Sequence, residues 1–268
     1  MIRDITIGQY YATDSVIHRL DPRVKVVGTL AYLISLFCFN KFSGYIIAAL
    51  FFAILVKISH VPFKFMVKGL KPIMFMLIFT AALNLFWTPG EVVLVKVWVF
   101  TITLEGVKRS VFMALRLTFL IIGSSLMTLT TTPNQLTDAL EKLLKPLNKI
   151  KVPVHEIAMM MSIALRFIPI LVDETDKIMK AQMARGADFE SGNVIQRIKA
   201  MLPILMPLFI SAARRANDLA LAMDARCYHG GDHRTQMKPL HYEKRDYIAY
   251  VILAAYLAVG VVFRVVGL

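Results

Sequence analysis

Cys227 and His229 flank a single residue, and His233 follows four positions later, the nearest approach to a metal-ligand set in the chain. A zinc site needs four ligands held together. Gly230 and Gly231 remove the one-face geometry a helix would give these three, and no fourth ligand stands nearby, so no metal is expected. There is no Gly-x-x-x-x-Gly-Lys-Ser/Thr phosphate cradle and no Gly-x-Ser-x-Gly nucleophile elbow. Any ATP in this system must therefore be bound by another chain, and no cofactor is expected on this one. Arg116 stands inside an apolar run, where an ion is expensive and often functional. It could bind an anionic substrate, or serve structure by pairing within the bundle or by snorkelling if the span is tilted; the scarcity of polar neighbours makes a poor transport pathway and favours a structural role, and Arg166 is read in the same way.

A repeat offers a different kind of chemistry. Ala184-Arg185-Gly186 recurs 41 residues later as Ala225-Arg226-Cys227. Counting back at helical spacing gives Ala181, Ile178 and Glu174 behind the first arginine, and Ala222, Leu219 and Arg215 behind the second. Either motif alone reads as a helix C-terminus, with arginine complementing the dipole and glycine closing the last turn. Because cysteine is not a usual capping residue, the pair is better explained as two similar plugs for two similar sockets.

The elements that must carry these tips are greasy. Of 268 residues 57% are hydrophobic and only 18% charged, and the mean hydropathy is +0.61. That composition excludes disorder, collagen and a disulfide-rich scaffold, and points into a bilayer. Cys38 and Cys227 fall on segments of opposite character, so no bridge is expected and the protein is read as reducing and cytoplasm-facing. The first 25 residues hold no apolar core of the kind a cleavable signal has, so the first membrane segment is expected to be retained.

Five spans are predicted. Val26 to Phe39 and Phe42 to Val56 form a helical hairpin, and Leu70 to Trp87 is a third span, opened by Pro72 in its first turn. Val92 to Leu104 is too short to cross as a helix and reads as an extended, interface-lying segment near Trp98. Val107 to Leu129 and Tyr247 to Val266 complete the set. Lys57, Lys64, Lys68 and Lys71 stand unopposed between spans two and three, which makes that loop cytoplasmic and the Glu91 to Glu105 loop external. The resulting organisation is a cytoplasmic segment 1–25, four spans in 26–129, a cytoplasmic-side region 130–246, and a last span in 247–268 whose C-terminus is external.

The formal charge of +13 concentrates in the 130–246 region, which holds 17 of the 31 basic residues and 13 of the 18 acids. Thr132-Pro133-Asn134 opens an amphipathic helix with Leu136, Leu140, Leu143, Leu144 and Leu147 on one stripe, broken by Pro146 and Pro153. Two longer helices follow, each apolar and proline-bearing at the start (Pro169; Pro203 and Pro207) and charged at the end. Met201 to Ala212, with Leu202, Leu205, Leu208 and Phe209, offers more apolar surface than water tolerates. Together with Ile157 to Leu171, which includes Ile163, it is read as a platform for a membrane partner. Met159 to Met161, Met179, Met183, Met201 and Met206 suit either plain core or an adaptable docking surface.

The run YYATDSVIHRLDPRVKVV, the paired Ala-Arg motifs and the segment ARRANDLALAMDARCY together resemble the transmembrane scaffold subunit of energy-coupling factor transporters, over essentially the whole chain. The resemblance implies a bacterial cell-membrane importer of vitamins or other micronutrients. Two cytoplasmic ABC ATPase subunits, a heterodimer carrying ATP and magnesium, would work with one small substrate-capturing S component. Ala184, Arg185 and Gly186, and Ala225, Arg226 and Cys227, would then be coupling-helix tips, each seated in a groove of one ATPase. Where the family often has glycine this chain has Cys227, which leaves open whether the backbone turns there as it does at Gly186.

The fold expected is thus an all-α membrane protein of about five spans with cytoplasmic-side coupling helices and no active site. The rival is a membrane-embedded enzyme acting on lipid, with Arg116, Arg166 and the His229 to His233 cluster lining a site. A self-sufficient transporter would call for an inverted repeat, and none is visible. The basic surplus does not read as nucleic-acid binding, because the positive residues hug membrane boundaries with no aromatic-interleaved patch. Contact with anionic lipid suffices for them.

Overall fold

The computed structural model describes residues 10–39, 42–89, 93–97, 100–189, 193–230, 237 and 239–266. They form α1 (Pro22–Cys38), α2 (Phe42–Ser59), α3 (Phe63–Lys68), α4 (Met74–Trp87), the strands β1 (Val93–Val97) and β2 (Phe100–Thr103), α5 (Leu104–Thr130), α6 (Pro133–Leu144), a 3-10 turn (Lys145–Ile150), α7 (Val154–Ala184), α8 (Val194–Asp224) and α9 (Lys244–Val266). The helices group into two compact units: Leu140–Pro239 makes one, and the described residues on either side of that stretch make the other.

The bundle of α1 to α5 with α9 is apolar on its outer faces as well as in its core. Phe42, Ile46, Leu50, Ile54 and Ile58 recur every fourth residue along α2 and are all exposed. α4 leaves Phe75 and Trp87 about four-fifths exposed, at 81% and 79%. Such continuous apolar faces are stable only against hydrocarbon. Inside, Tyr32 and Leu36 of α1, Ala48 and Phe52 of α2, Leu126 of α5 and Tyr256 of α9 pack one core. Small residues let the helices close on it, since a Cβ on Gly123 would stand 2.7 Å from the Tyr32 ring. Across the core Ser35 and Tyr256 share a hydrogen bond of 2.8 Å between their hydroxyls.

The sequence block around His18 to Arg23 fastens the ends of these helices together. Asp21 caps α1, accepting from the Arg23 amide at 2.8 Å, and its own amide donates to Asp246 Oδ1 at 2.9 Å. The other oxygen of Asp246 takes the Glu243 amide at 2.8 Å, so one carboxylate serves the starts of two helices. Arg23 lies 3.9 Å from the centre of the Tyr242 ring and donates to the Leu240 carbonyl. Lys25 is buried, its Nζ donating to the carbonyls of His18 at 3.0 Å and Thr130 at 2.9 Å. His18 bonds the Tyr11 carbonyl through Nε2, and burial holds its ring below the usual imidazole range. These contacts draw α1, α5 and α9 to one end of the bundle.

The all-α reading holds, and the extended segment expected before α5 is an antiparallel hairpin in which Val97 pairs Phe100 and Lys96 pairs Thr101. Glu91 and Trp98 lie outside the described residues. The span boundaries differ. The Leu70 amide bonds the Val67 carbonyl and the Ile73 amide the Leu70 carbonyl, both i to i−3 turns, and the α-helix begins only at Met74. α1 has 17 residues and α4 has 14, both below the roughly 20 that a perpendicular crossing needs. Among the described residues four helices are long and apolar enough to cross: α2, α5, α7 and α9 up to Arg264. α7, which the sequence places on the cytoplasmic side, therefore also qualifies by length and composition.

Arg116 does what a structural cation does. Its Nε donates to the Tyr45 hydroxyl at 3.0 Å and its Nη2 to the Phe39 carbonyl at 3.3 Å, satisfying the C-terminus of α1 from the middle of α5.

Candidate docking tips on two crossed helices

α7 and α8 have 31 residues each and end in the same backbone turn. At the end of α7 the Gly186 amide donates to the Met183 carbonyl and the Ala187 amide to the Gln182 carbonyl, both at 3.0 Å. At the end of α8 the Cys227 amide donates to Asp224 at 2.9 Å and the Tyr228 amide to Met223 at 3.1 Å. Both are Schellman turns, in which the residue after the cap must be left-handed. Gly186 has φ +88° and Cys227 has φ +54°. The sequence-based view that cysteine does not cap is therefore corrected: Cys227 turns as Gly186 does, held by the two hydrogen bonds of the turn against its own conformational preference.

The consequence is that Arg185 and Arg226 occupy equivalent last positions, exposed, beside exposed Ala184 and Ala225. No hydrogen bond or ion pair engages either guanidinium among the described residues. Cys227 and Cys38 are free thiols, both exposed. His229 is exposed, His233 lies outside the described residues, and no group of three His, Cys, Asp or Glu could hold a metal among those described.

The two helices run antiparallel across each other. Arg215 Nη2 donates to Glu174 Oε2 at 3.0 Å and Ser211 Oγ to Glu174 Oε1 at 2.5 Å. Further along, Gln182 Nε2 reaches the Pro203 carbonyl at 3.5 Å. That carbonyl is free because Pro207, four residues on, has no amide to offer it. As α7 advances from Glu174 to Gln182, α8 retreats from Arg215 to Pro203, so the two arginine tips point to opposite ends of the pair.

This register also sorts the expected platform residues. Leu202, Leu205 and Phe209 are exposed, Phe209 to 72%, and Leu208 is half-buried, all beside the crossing. Ile157 is exposed and Ile163 half-buried. They stand eleven or more residues before Glu174 on α7, at least about 16 Å away along the axis. The two shanks are therefore not brought together into one patch. The exposed face of α8 extends instead toward its start through Met201, Ile198 and Ile195. Met160, Met161, Met183, Met201 and Met206 are exposed, which removes them from any core within this chain. Arg166 is exposed on α7.

The sequence pattern of the cobalt transport protein family, CbiQ, matches residues 13–237. A protein of Clostridium kluyveri named energy-coupling factor transporter transmembrane protein EcfT is 56% identical over 266 residues, 99% of this chain and 98% of its own. Relatives of the same name from Ruminiclostridium cellulolyticum, 54% identical over 258 residues, and Bacillus subtilis, 45% over 260, cover 96% of this chain and 96% and 98% of their own lengths. The chain belongs to the family of energy-coupling factor transporter transmembrane proteins. Membership accounts for the apolar outer faces of α2, α4 and α9.

Among residues that the structure brings forward, the sequence offers Lys25 only as one of the basic residues that place the N-terminal segment inside, gives no role to Asp246, and places Glu174 and Arg215 only as members of separate stripes. Lys25 and Asp21 stood in a block quoted for its resemblance. A lysine four residues after a helix-capping aspartate, just ahead of an apolar run, is the signal available from sequence. Nothing local links Asp246 or the Glu174 to Arg215 pair.

Proposed function

We propose that this chain is the coupling subunit of an ECF-type ABC importer for a vitamin or another micronutrient. Two ATPase subunits, a heterodimer, bind ATP and magnesium. This chain carries their movement to one membrane-embedded S component, and holds no catalytic group or cofactor of its own. The N-terminal segment and the region 130–246 face the cytoplasm, as does the Lys57 to Lys71 loop, and the C-terminus is external. The observation that carries the proposal is the pair of identical turns that present Arg185 and Arg226 with no partner among the described residues. Helix ends that serve only themselves need no such duplication. An exposed arginine preceded by an alanine can enter a narrow acidic groove, where a guanidinium makes charge-assisted hydrogen bonds.

The test is Arg185→Ala, Arg226→Ala and the double variant, purified with the ATPases from membranes. Each single change is expected to weaken attachment, and the double change to abolish transport while the chain stays folded and membrane-inserted. Cutting one partner of a buried charge pair costs about 2–5 kcal/mol, against about 1 or less for an exposed contact. ATPases that remain bound to the double variant would return both residues to plain capping.

A further inference from the structure

We infer that Glu174, held by Ser211 and Arg215, is the positioning residue that sets the spacing and register of the two arginine tips. Arg185 stands eleven residues after Glu174, and Arg226 stands eleven residues after Arg215. Each tip is therefore the end of an arm of equal length, about 16 Å, and the two arms leave the Glu174–Arg215 contact in opposite directions. Both arms finish in the same turn. A contact at the midpoint of two equal arms fixes where both ends lie at once.

Apolar packing at the crossing does not fix register by itself. On the face of α8 that carries Ser211 and Arg215, Ile204 is buried and Leu208 half-buried, and apolar attraction is non-directional. One carboxylate that accepts from two side chains on the same helix is directional, and polar contacts in apolar helix pairs specify register in this way. Ser211 and Arg215 are one turn apart, so the carboxylate grips one face of α8 at two levels. Gln182 adds a second fixed point, because the Pro203 carbonyl it reaches is released only by Pro207. The side chains of Arg215 and Glu174 remain 39% and 24% exposed, so the pair is worth little to stability. Its value is geometric.

This inference rests on the docking role proposed for the tips, and two measurements keep them apart. The first needs no ATPase. Spin labels at Lys180→Cys and Leu221→Cys, each five residues before its arginine, are placed on the full chain in lipid nanodiscs with Cys38→Ser and Cys227→Gly. Glu174→Gln is expected to broaden the distance distribution, and Glu174→Arg with Arg215→Glu to restore it. The second is made on the complete transporter. Glu174→Gln is expected to keep both ATPases bound and hydrolysing ATP while transport per ATP falls about tenfold, the size of an ordinary coupling loss, and the charge swap is expected to recover it. An unchanged distribution with unchanged transport per ATP overturns the positioning role. So does detachment of the ATPases by Glu174→Gln, which would make the contact a requirement of folding or docking. ATPase attachment that survives loss of both tip arginines overturns the docking role instead, whatever the labels report.

Discussion

A non-glycine residue at φ +54° crowds its Cβ against the neighbouring carbonyl, and Cys227 is held there by the Tyr228 to Met223 hydrogen bond. The left-handed conformation costs an ordinary residue about 1–2 kcal/mol. Cys227→Gly is therefore expected to tighten the end of α8 by about 1 kcal/mol after allowing for glycine's greater freedom in the unfolded chain. Slower amide exchange at position 227 and Tyr228, with ATPase attachment unchanged, is the expected outcome. Faster exchange would mean that the cysteine side chain contributes a contact of its own. The same residue-scale logic explains Arg116: an ion inside a bilayer is tolerated where it completes a helix end, and the Phe39 carbonyl and Tyr45 hydroxyl supply that end.

At the scale of elements, α8 divides its labour. Its last third ends in the charged turn at Arg226, and its first half shows Ile195, Ile198, Leu202, Leu205 and Phe209 at three- and four-residue spacing on an exposed face. Burying one such side chain against a partner contributes about 1.5–3 kcal/mol. Glu introduced at Leu205 or Phe209 is expected to release the S component from the purified complex while the ATPases stay bound. The chain's own fold should persist, since neither side chain is buried within it. Loss of the S component and the ATPases together would show that this face is needed for folding. Ile157 and Ile163 lie on the far side of the crossing, so Glu at either is expected to leave S-component binding in place when measured alongside.

At the scale of the molecule, the charge pattern orients the bundle and α7 tests the orientation. With Lys57 in the last turn of α2, and Lys64, Lys68 and Lys71 but no acid between α2 and α4, that loop is expected inside and the Glu91 to Glu105 loop outside. In a background lacking Cys38 and Cys227, cysteine at Glu91 should react with an impermeant maleimide on intact cells. Cysteines at Lys149 and Lys180, near the two ends of α7, should both react only after permeabilisation. Labelling of one end of α7 from outside would make α7 a true crossing, as its length permits, and would move half of the 130–246 region across the bilayer.

Composition and periodicity by themselves determined the membrane class, the helical architecture, the prolines that separate α6 from α7 and the duplicated arginine motif, because each depends on residues near in sequence. The expected cap at Thr132 is realised as a reciprocal pair, Thr132 amide to Gln135 and Gln135 amide to Thr132, since a capping box is local. Helix ends were less legible: α4 starts at Met74, four residues after the apolar run begins, because apolarity marks what lipid accepts and says nothing of the turns that precede the helix. Only the tertiary structure decided that Asp246 serves the start of α1 and that Glu174 meets Arg215 between equal arms. Each joins groups that sequence separation hides, 225 residues in the first case and 41 in the second, and a hydrogen bond is satisfied by whichever donor the packed helices bring within reach.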